Sequence, residues 1–338
     1  MKAVVWLGDS VALREVPAPG PACSEVLVRV GYASICGSDV TIAAGKHPRA
    51  KPPLILGHEF MGAVAQAPEG SDLHIGQRVV IEPLLSCKAC RPCLAGHEHV
   101  CRALRLLGVE ADGGFAEYVS APADKVYPLP AAVSSREAAL VEPLAVAVHA
   151  VDLGQVVAED AVAVLGAGPV GLLLAQVARE AGVARLWLLE KNSYRLLLAR
   201  SLGFSAVDVS AADPLQTVLD LTGGYGADVT FEAAGVPETT RLAVPLTAIR
   251  GRIVMVAIHK KPVEVELQTL TYREQTIVGS RIYARGDFRR AIALSESGAV
   301  QLRPLITHVF SLDEGVRALE TATQSSECCK VLLEVRAD

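Results

Sequence analysis

Four cysteines fall within fifteen residues, Cys87, Cys90, Cys93 and Cys101, spaced C-x2-C-x2-C-x7-C. Four thiolates this close repel one another and oxidise unless a cation holds them. Zn(II) accepts four thiolates tetrahedrally and leaves no position open, so such a site is structural. The spacing differs from the usual iron–sulfur runs. Cys23, Cys328 and Cys329 have no evident partners, and the adjacent pair Cys328–Cys329 is poorly suited to a disulfide. We read these three as incidental thiols.

A second set of possible ligands is dispersed along the chain. Cys36 lies in Ser34-Ile35-Cys36-Gly37-Ser38-Asp39, His58 and Glu59 lie in Gly57-His58-Glu59-Phe60-Met61-Gly62, and Glu142 opens Glu142-Pro143-Leu144. Taken singly, each has a bland reading: a buried small thiol, a satisfied polar ring, a surface carboxylate.

Glycines supply a third signal. Gly166-Ala167-Gly168-Pro169-Val170-Gly171 follows the apolar run Ala161–Leu165 and opens a helical pattern of Val170, Leu173, Leu174 and Val177. In that strand–turn–helix context a G-x-G-x-x-G binds dinucleotide. Gly166 permits the tight turn, Gly168 lets backbone approach the pyrophosphate, and Gly171 lets helix and strand pack. The helix N-terminus offers free N–H groups to the phosphates. Glu190 ends the next strand, where a carboxylate accepts the ribose hydroxyls of NAD and repels the 2′-phosphate of NADP. Lys191 and Arg195 nearby leave some room for NADP.

The elements that must hold these residues fall into two styles. The first part has short runs separated by Gly, Pro and Asp: residues 25–30, 58–64, 77–81 and 114–119, a β-rich, barrel-like unit. From about residue 150 apolar strands alternate with helices, at 161–165, 185–189, 207–209, 228–231, 252–256 and 276–279. That alternation predicts an α/β, doubly wound parallel sheet of the Rossmann type. A helix at 288–297 and a strand at 330–334 finish the chain, and this tail is expected to return to the first domain. The resulting division is 1–149 with a metal lobe at about 85–102, 150–280, and 281–338.

Bulk properties narrow the function classes. A chain of 338 residues suits two domains. Net charge is -5 and no basic stripe is present, which argues against nucleic acid. No run is apolar enough to span a bilayer, and no signal peptide is visible, so a cytoplasmic location is expected.

Together, in this order, the Cys36 and His58 segments, the cysteine lobe and the Gly-rich turn closely resemble the zinc-containing medium-chain dehydrogenases. The resemblance covers nearly the whole chain. The Glu142-Pro143-Leu144 motif is similar to that of the polyol (sorbitol), butanediol and threonine dehydrogenase branch. The resemblance implies a GroES-like catalytic domain, two zinc ions per chain, NAD as cofactor and a homodimer or homotetramer. It implies that Cys36 and His58 bind a catalytic zinc, with Glu59 and Glu142 both candidate carboxylate ligands. It implies that Val170, Glu190 and Arg195 meet the adenosine side, and that Ala234, Val256, Ala257 and Ile258 lie beneath the cofactor, with Ile282 nearby. Zn(II) lowers the pKa of a substrate hydroxyl, and the carbinol carbon passes a hydride to nicotinamide C4. Ser38 resembles the hydroxyl that relays the proton outwards; its own pKa is too high for it to be the base.

Two departures stand out. Many relatives carry a His where this chain has Thr41, so the proton is expected to leave through water or a carboxylate. Sorbitol-type enzymes carry an Arg-Tyr pair where this chain has Ile282-Tyr283. That shifts the expected substrate towards shorter vicinal diols, hydroxyketones or other secondary alcohols. The rivals are a threonine-type amino-alcohol dehydrogenase, a non-catalytic relative that keeps the structural zinc, and a zinc-free quinone reductase. For oligomers, pairing through the apolar run 252–257 as an edge strand is the expectation.

Overall fold

The computed structural model describes residues 1–336. The chain divides into two compact units, one formed by Met1–Glu142, Ala284–Gly298 and Leu302–Asp338, the other by Pro143–Tyr283 and Ala299–Gln301. The first boundary falls inside the helix Val141–Leu153.

The first unit is built round the long strand Glu25–Ser34. It pairs antiparallel with Glu59–Gln66 on one side, and with Tyr118–Pro122 and then Lys330–Glu334 along the other. Arg78–Ile81 and Val126–Pro128 extend the sheet beyond Glu59–Gln66, and Ile306–Ser311 extends it beyond Lys330–Glu334. The strands Ile306–Ser311 and Lys330–Glu334 thus sit in the same sheet as Glu25–Ser34. Two registers matter for chemistry: Ser34 lies opposite Glu59, and Leu332 lies opposite Ser34. Residues two apart share a face of a strand, so Lys330 is carried towards the same spot.

The 114–119 expectation is displaced. The strand there is Tyr118–Pro122, and Ala116 makes only an isolated bridge to Ala3. Gly113 and Gly114 pack so tightly on Gly57 and Phe60 that an added Cβ would lie 2.1 Å from the Gly57 carbonyl oxygen and 2.4 Å from the Phe60 ring. That segment is a packing surface against the His58 turn.

The second unit is a six-stranded parallel sheet. Its order is Ser205–Asp208, Arg185–Glu190, Ala161–Leu165, Ala227–Glu232, Thr247–Met255, Thr276–Gly279. Ala161–Leu165 is buried along its whole length, as expected of a central strand covered on both faces. The order reverses at that strand, so ligands should meet the carboxyl ends of Ala161–Leu165 and Ala227–Glu232. One expectation fails here: Thr247–Met255 is flanked by strands on both sides, and the edge is Thr276–Gly279. Among the described residues, no helix is long and apolar enough to cross a membrane.

Candidate active site

The cysteine lobe is a loop with one short helix, Arg91–Leu94, and a 3-10 turn, Glu98–Val100. It gathers all four sulfurs. Cys90 Sγ lies 3.4 Å from Cys93 Sγ and 3.9 Å from Cys101 Sγ, and Cys87 and Cys93 are 4.0 Å apart. A tetrahedral Zn–S₄ site has edges of about 3.8 Å, so these four thiols fit zinc. None is in a disulfide. The sulfurs accept backbone N–H groups: Cys90 N–H donates to Cys87 Sγ and Ala103 N–H to Cys101 Sγ, both at 3.4 Å. The backbone N–H groups of Arg102 and Cys93 draw the Cys90 thiol down to about 6, whereas burial pushes Cys93 up to about 12.

A buried ionic cluster ties this lobe to the barrel. Lys125 Nζ reaches Glu82 Oε1 at 2.6 Å and Glu98 Oε2 at 3.0 Å. Ser86 donates to Glu98 at 3.1 Å, and Tyr127 donates to Glu82 at 2.8 Å.

In the second cluster the ligand atoms of Cys36, His58 and Glu59 lie within 4.8 Å of one another. Cys36 immediately precedes the helix Gly37–Ala43, and His58 follows Gly57, whose φ of +93° makes the turn. Asp39 joins these two segments. Its Oδ2 accepts the Cys36 N–H at 2.8 Å, its Oδ1 accepts the Gly57 N–H at 3.2 Å, and Oδ1 faces His58 Nδ1 at 3.6 Å. Nδ1 is thereby turned to the carboxylate and Nε2 is left for a metal, the usual carboxylate–histidine arrangement. Burial favours a neutral His58, but the charges on Asp39 and Cys36 outweigh it and raise its pKa well above the ordinary value. A soft thiolate, an imidazole and a carboxylate form a donor set suited to catalytic zinc.

Glu59 is held by two groups. Lys330 Nζ forms a buried ion pair with Glu59 Oε2, and Ser34 Oγ donates to the same oxygen. Lys330 Nζ also donates to Ser34 Oγ at 3.0 Å and to the Ile35 carbonyl at 3.3 Å. Glu142 is buried in the first turn of its helix and its charge reaches Lys330, but it lies outside the Cys36–His58–Glu59 group. Ser38 Oγ donates to Cys36 Sγ at 3.3 Å, next to the metal position. Thr41 Oγ1 donates to the Gly37 carbonyl at 2.8 Å, within its own helix.

The dinucleotide turn has the expected form. Gly166 has φ of +102°, and an added Cβ would lie 3.0 Å from Ala234 Cβ; at Gly171 it would lie 1.9 Å from the Gly166 carbonyl oxygen. Gly168 precedes the helix Pro169–Glu180, with Pro169 in the first turn and Val170 after it. Arg195 Nη1 stands 3.8 Å from a Cβ built at Gly168, so the guanidinium lies over the turn. Glu190 is buried and accepts the N–H groups of Ala167 at 2.9 Å, Lys191 at 2.8 Å and Asn192 at 2.9 Å. The carboxylate therefore braces the turn itself. Val256 and Ala257 donate to the Glu232 carbonyl at 2.9 and 3.1 Å, which sets them beside Ala234 at the carboxyl end of the sheet. Ile258 follows them, exposed, and Ile282, with φ of +53°, follows the edge strand.

Sequence reading missed Asp39, Ser34 and Lys330 as site residues. Asp39 had a local signal, three residues after Cys36. Ser34 and Lys330 had none, since their partner Glu59 is 25 and 271 residues away.

A barrel-like unit with two cysteine-bearing donor clusters, and in the same chain a Rossmann sheet with a braced Gly-rich turn, define the zinc- and dinucleotide-dependent oxidoreductases. Residues 22–131 match the family described as alcohol dehydrogenase GroES-like domain, and residues 169–297 match zinc-binding dehydrogenase. The chain is 38% identical to L-threonine 3-dehydrogenase of Bacillus licheniformis, covering 94% of this chain and 93% of that one. It is 36% identical to 2-dehydro-3-deoxy-L-galactonate 5-dehydrogenase of Pseudoalteromonas atlantica, covering 100% of each. The crystal structure of a putative zinc-binding dehydrogenase from Sinorhizobium meliloti, bound to NADP, superposes with a TM-score of 0.94 at 35% identity over 98% of both chains. The chain belongs to the zinc-binding alcohol dehydrogenase family. It is a zinc-dependent, NAD(P)-linked oxidoreductase of secondary alcohols, in the polyol and threonine dehydrogenase-like branch.

Proposed function

We propose that this enzyme oxidises a short secondary alcohol with a second oxygen on the neighbouring carbon, a vicinal diol or related polyol, and uses NAD as hydride acceptor. The observation that carries the reading is the gathering of Cys36, His58 and Glu59, with Ser38 hydrogen-bonded to Cys36 Sγ. A zinc ion held there supplies Lewis acidity, lowering the pKa of the substrate hydroxyl towards neutrality. NAD held at the Gly166–Gly171 turn would supply the hydride acceptor for the carbinol carbon, and Ser38, hydrogen-bonded to Cys36 Sγ, would carry the hydroxyl proton outwards. In this reading Cys36 and His58 hold the zinc, and Glu59, gathered with them, and the buried Glu142 are both candidate carboxylate ligands. Lys330 and Ser34 hold the Glu59 carboxylate in place. Cys87, Cys90, Cys93 and Cys101 hold the structural zinc.

Glu190 supports NAD over NADP, because a buried carboxylate fixed by three N–H groups cannot swing aside from a 2′-phosphate. Thr276–Gly279 is the open edge of the sheet, and Ile277 there is 39% exposed, which supports pairing between two copies along that strand. A second reading, an L-threonine-type substrate, draws on the 38% identity to the threonine enzyme. The deciding experiment is a panel of 2,3-butanediol, sorbitol, xylitol and L-threonine, each with NAD and NADP, on protein whose zinc has been counted. Diol turnover with NAD and about two zinc ions per chain are expected. One zinc or none per chain, or threonine preferred to every diol, overturns the proposal.

A further inference from the structure

Three arginines of the first unit line one cavity, and none of them serves the chemistry described so far. The cavity has a volume of about 270 Å³, and Arg29, Arg78 and Arg336 line it together with Gly31, Gly62 and Ala63. Strand register explains the meeting. Ala63 lies directly opposite Arg29 on one side and directly opposite Arg78 on the other. Residues paired across neighbouring strands project from the same face, so two arginine side chains flank a single methyl group. Arg336 arrives from beyond the strand Lys330–Glu334, where its N–H donates to the Gly31 carbonyl at 3.2 Å. Glycine at 31 and 62 and alanine at 63 leave the space between them unfilled.

The charge gathered there is uncompensated. Among the described residues, none of the three arginines forms an ion pair. Arg78 is anchored by donating from Nη2 to the Val133 carbonyl, while its Nε is buried without a hydrogen-bond partner. Like charges round one recess repel, and a buried charged donor left unpaired is costly. An anion seated among the three relieves both penalties. Guanidinium forks match the oxygens of phosphate and carboxylate groups two at a time. A carboxylate has only two oxygens to offer. A phosphate monoester dianion has three terminal oxygens in a tetrahedral spread, which suits donors carried on three separate backbone segments. The cavity holds the volume of about nine liquid waters, enough for a phosphate and a small attached group.

We propose that Arg29, Arg78 and Arg336 form a binding site for a small phosphate anion, free or as a monoester. The site shares no residue with the dinucleotide turn, which belongs to the second unit. It is also separate from the catalytic cluster, although the same strands carry both. Ala63 follows Glu59 along Glu59–Gln66, and Arg29 precedes Ser34 along Glu25–Ser34, spacings of roughly 13 and 17 Å along extended chain. An occupant of the cavity therefore does not touch the zinc ligands, and its binding is measurable without turnover.

The test titrates inorganic phosphate, and separately glycerol 3-phosphate, into the zinc-loaded enzyme saturated with NADH, by calorimetry at fixed ionic strength. Saturating NADH fills the dinucleotide turn, and fixed ionic strength holds general screening constant. One anion per chain with a dissociation constant below about 1 mM is expected. Arg29→Gln and Arg336→Gln should each weaken binding by about tenfold to a hundredfold, the loss of a charge-assisted hydrogen bond. Arg14→Gln, at an exposed position of the same unit, should leave it within about twofold, as a screened surface charge does. Arg78→Gln also gives up the Val133 contact, so the other two variants decide. Tighter binding of glycerol 3-phosphate than of inorganic phosphate assigns the site to esters, and the reverse assigns it to free phosphate. Absence of saturable binding by both, unchanged affinity in Arg29→Gln and Arg336→Gln, or acetate bound as tightly as phosphate overturns the proposal.

Discussion

Lys330 and Glu59, 271 residues apart in sequence, form a buried ion pair with Ser34 hydrogen-bonded to both. Removing one member strands the other in a dry site. Breaking such a pair typically costs about 3–5 kcal/mol, whereas replacing both members by well-packed neutral groups is often far cheaper. Lys330→Met should therefore lower unfolding stability in urea by about that amount. Lys330→Met combined with Glu59→Gln should recover most of it. A single variant as stable as wild type would show that the pair carries no such weight.

Glu98 gives a pH prediction. Burial favours its neutral form, but the hydrogen bond and charge of Lys125, with Ser86, outweigh this and hold its pKa below the ordinary carboxylate range. A depressed carboxylate adds stability that is present above its unfolded pKa and lost as pH falls through the folded one. Thermal melting of the wild type should decline below about pH 4.5, the unfolded value for a glutamate. Glu98→Gln should be less stable at pH 7 and should flatten that decline. Parallel melting curves for the two proteins across pH 3 to 7, as a range on the scale of carboxylate titration, would contradict the assignment.

Glu190→Gln tests the cofactor assignment. Glutamine keeps an oxygen that can accept from part of the Ala167, Lys191 and Asn192 set, so folding should be largely spared. It removes the charge that repels a 2′-phosphate. The NAD-to-NADP ratio of kcat/KM should fall by about tenfold, the equivalent of roughly 1.4 kcal/mol. An unchanged ratio would mean that another group, with Arg195 over the turn the first to examine, decides the preference.

Thr41→Val should leave turnover within about threefold, because the Thr41 hydroxyl donates into its own helix and cannot titrate near neutrality. A hundredfold loss, about 2.7 kcal/mol, would put Thr41 on the proton path after all.

Much of this was legible in the sequence because the signals are local. The thiols from Cys87 to Cys101 meet within one short loop, and the Gly166–Gly171 turn joins a strand directly to its helix. Cys36 and His58 were legible only through the family resemblance, because each taken singly has a bland reading and the two are 22 residues apart. The missed residues are of a different kind. Lys330 on its strand looks like any charged residue at a strand end, and Ser34 looks like an ordinary polar residue; only the register Ser34–Glu59 and Leu332–Ser34 makes them partners. Ile306–Ser311 and Gly315–Gln324 went unread for a related reason. The strand is polar and half-exposed, with burial alternating weakly, and its place in the sheet depends on a parallel neighbour that follows it in the chain. The edge position of Thr276–Gly279 is likewise a property of sheet order, which no single run of residues encodes.

The strand Lys330–Glu334 has a consequence for the order of events on the ribosome. It lies beside Glu25–Ser34, so a strand made early waits for a neighbour made about 300 residues later. The second unit, nearly continuous from Pro143 to Tyr283, can condense as soon as it emerges. Until residue 330 arrives, the carboxylate of Glu59 has no cation to meet, and the strand Glu25–Ser34 offers an open margin to other chains. Synthesis from the N-terminus thus completes the nucleotide-binding unit before the metal-binding one, and the nascent enzyme can acquire its Rossmann fold well before its catalytic cluster is closed.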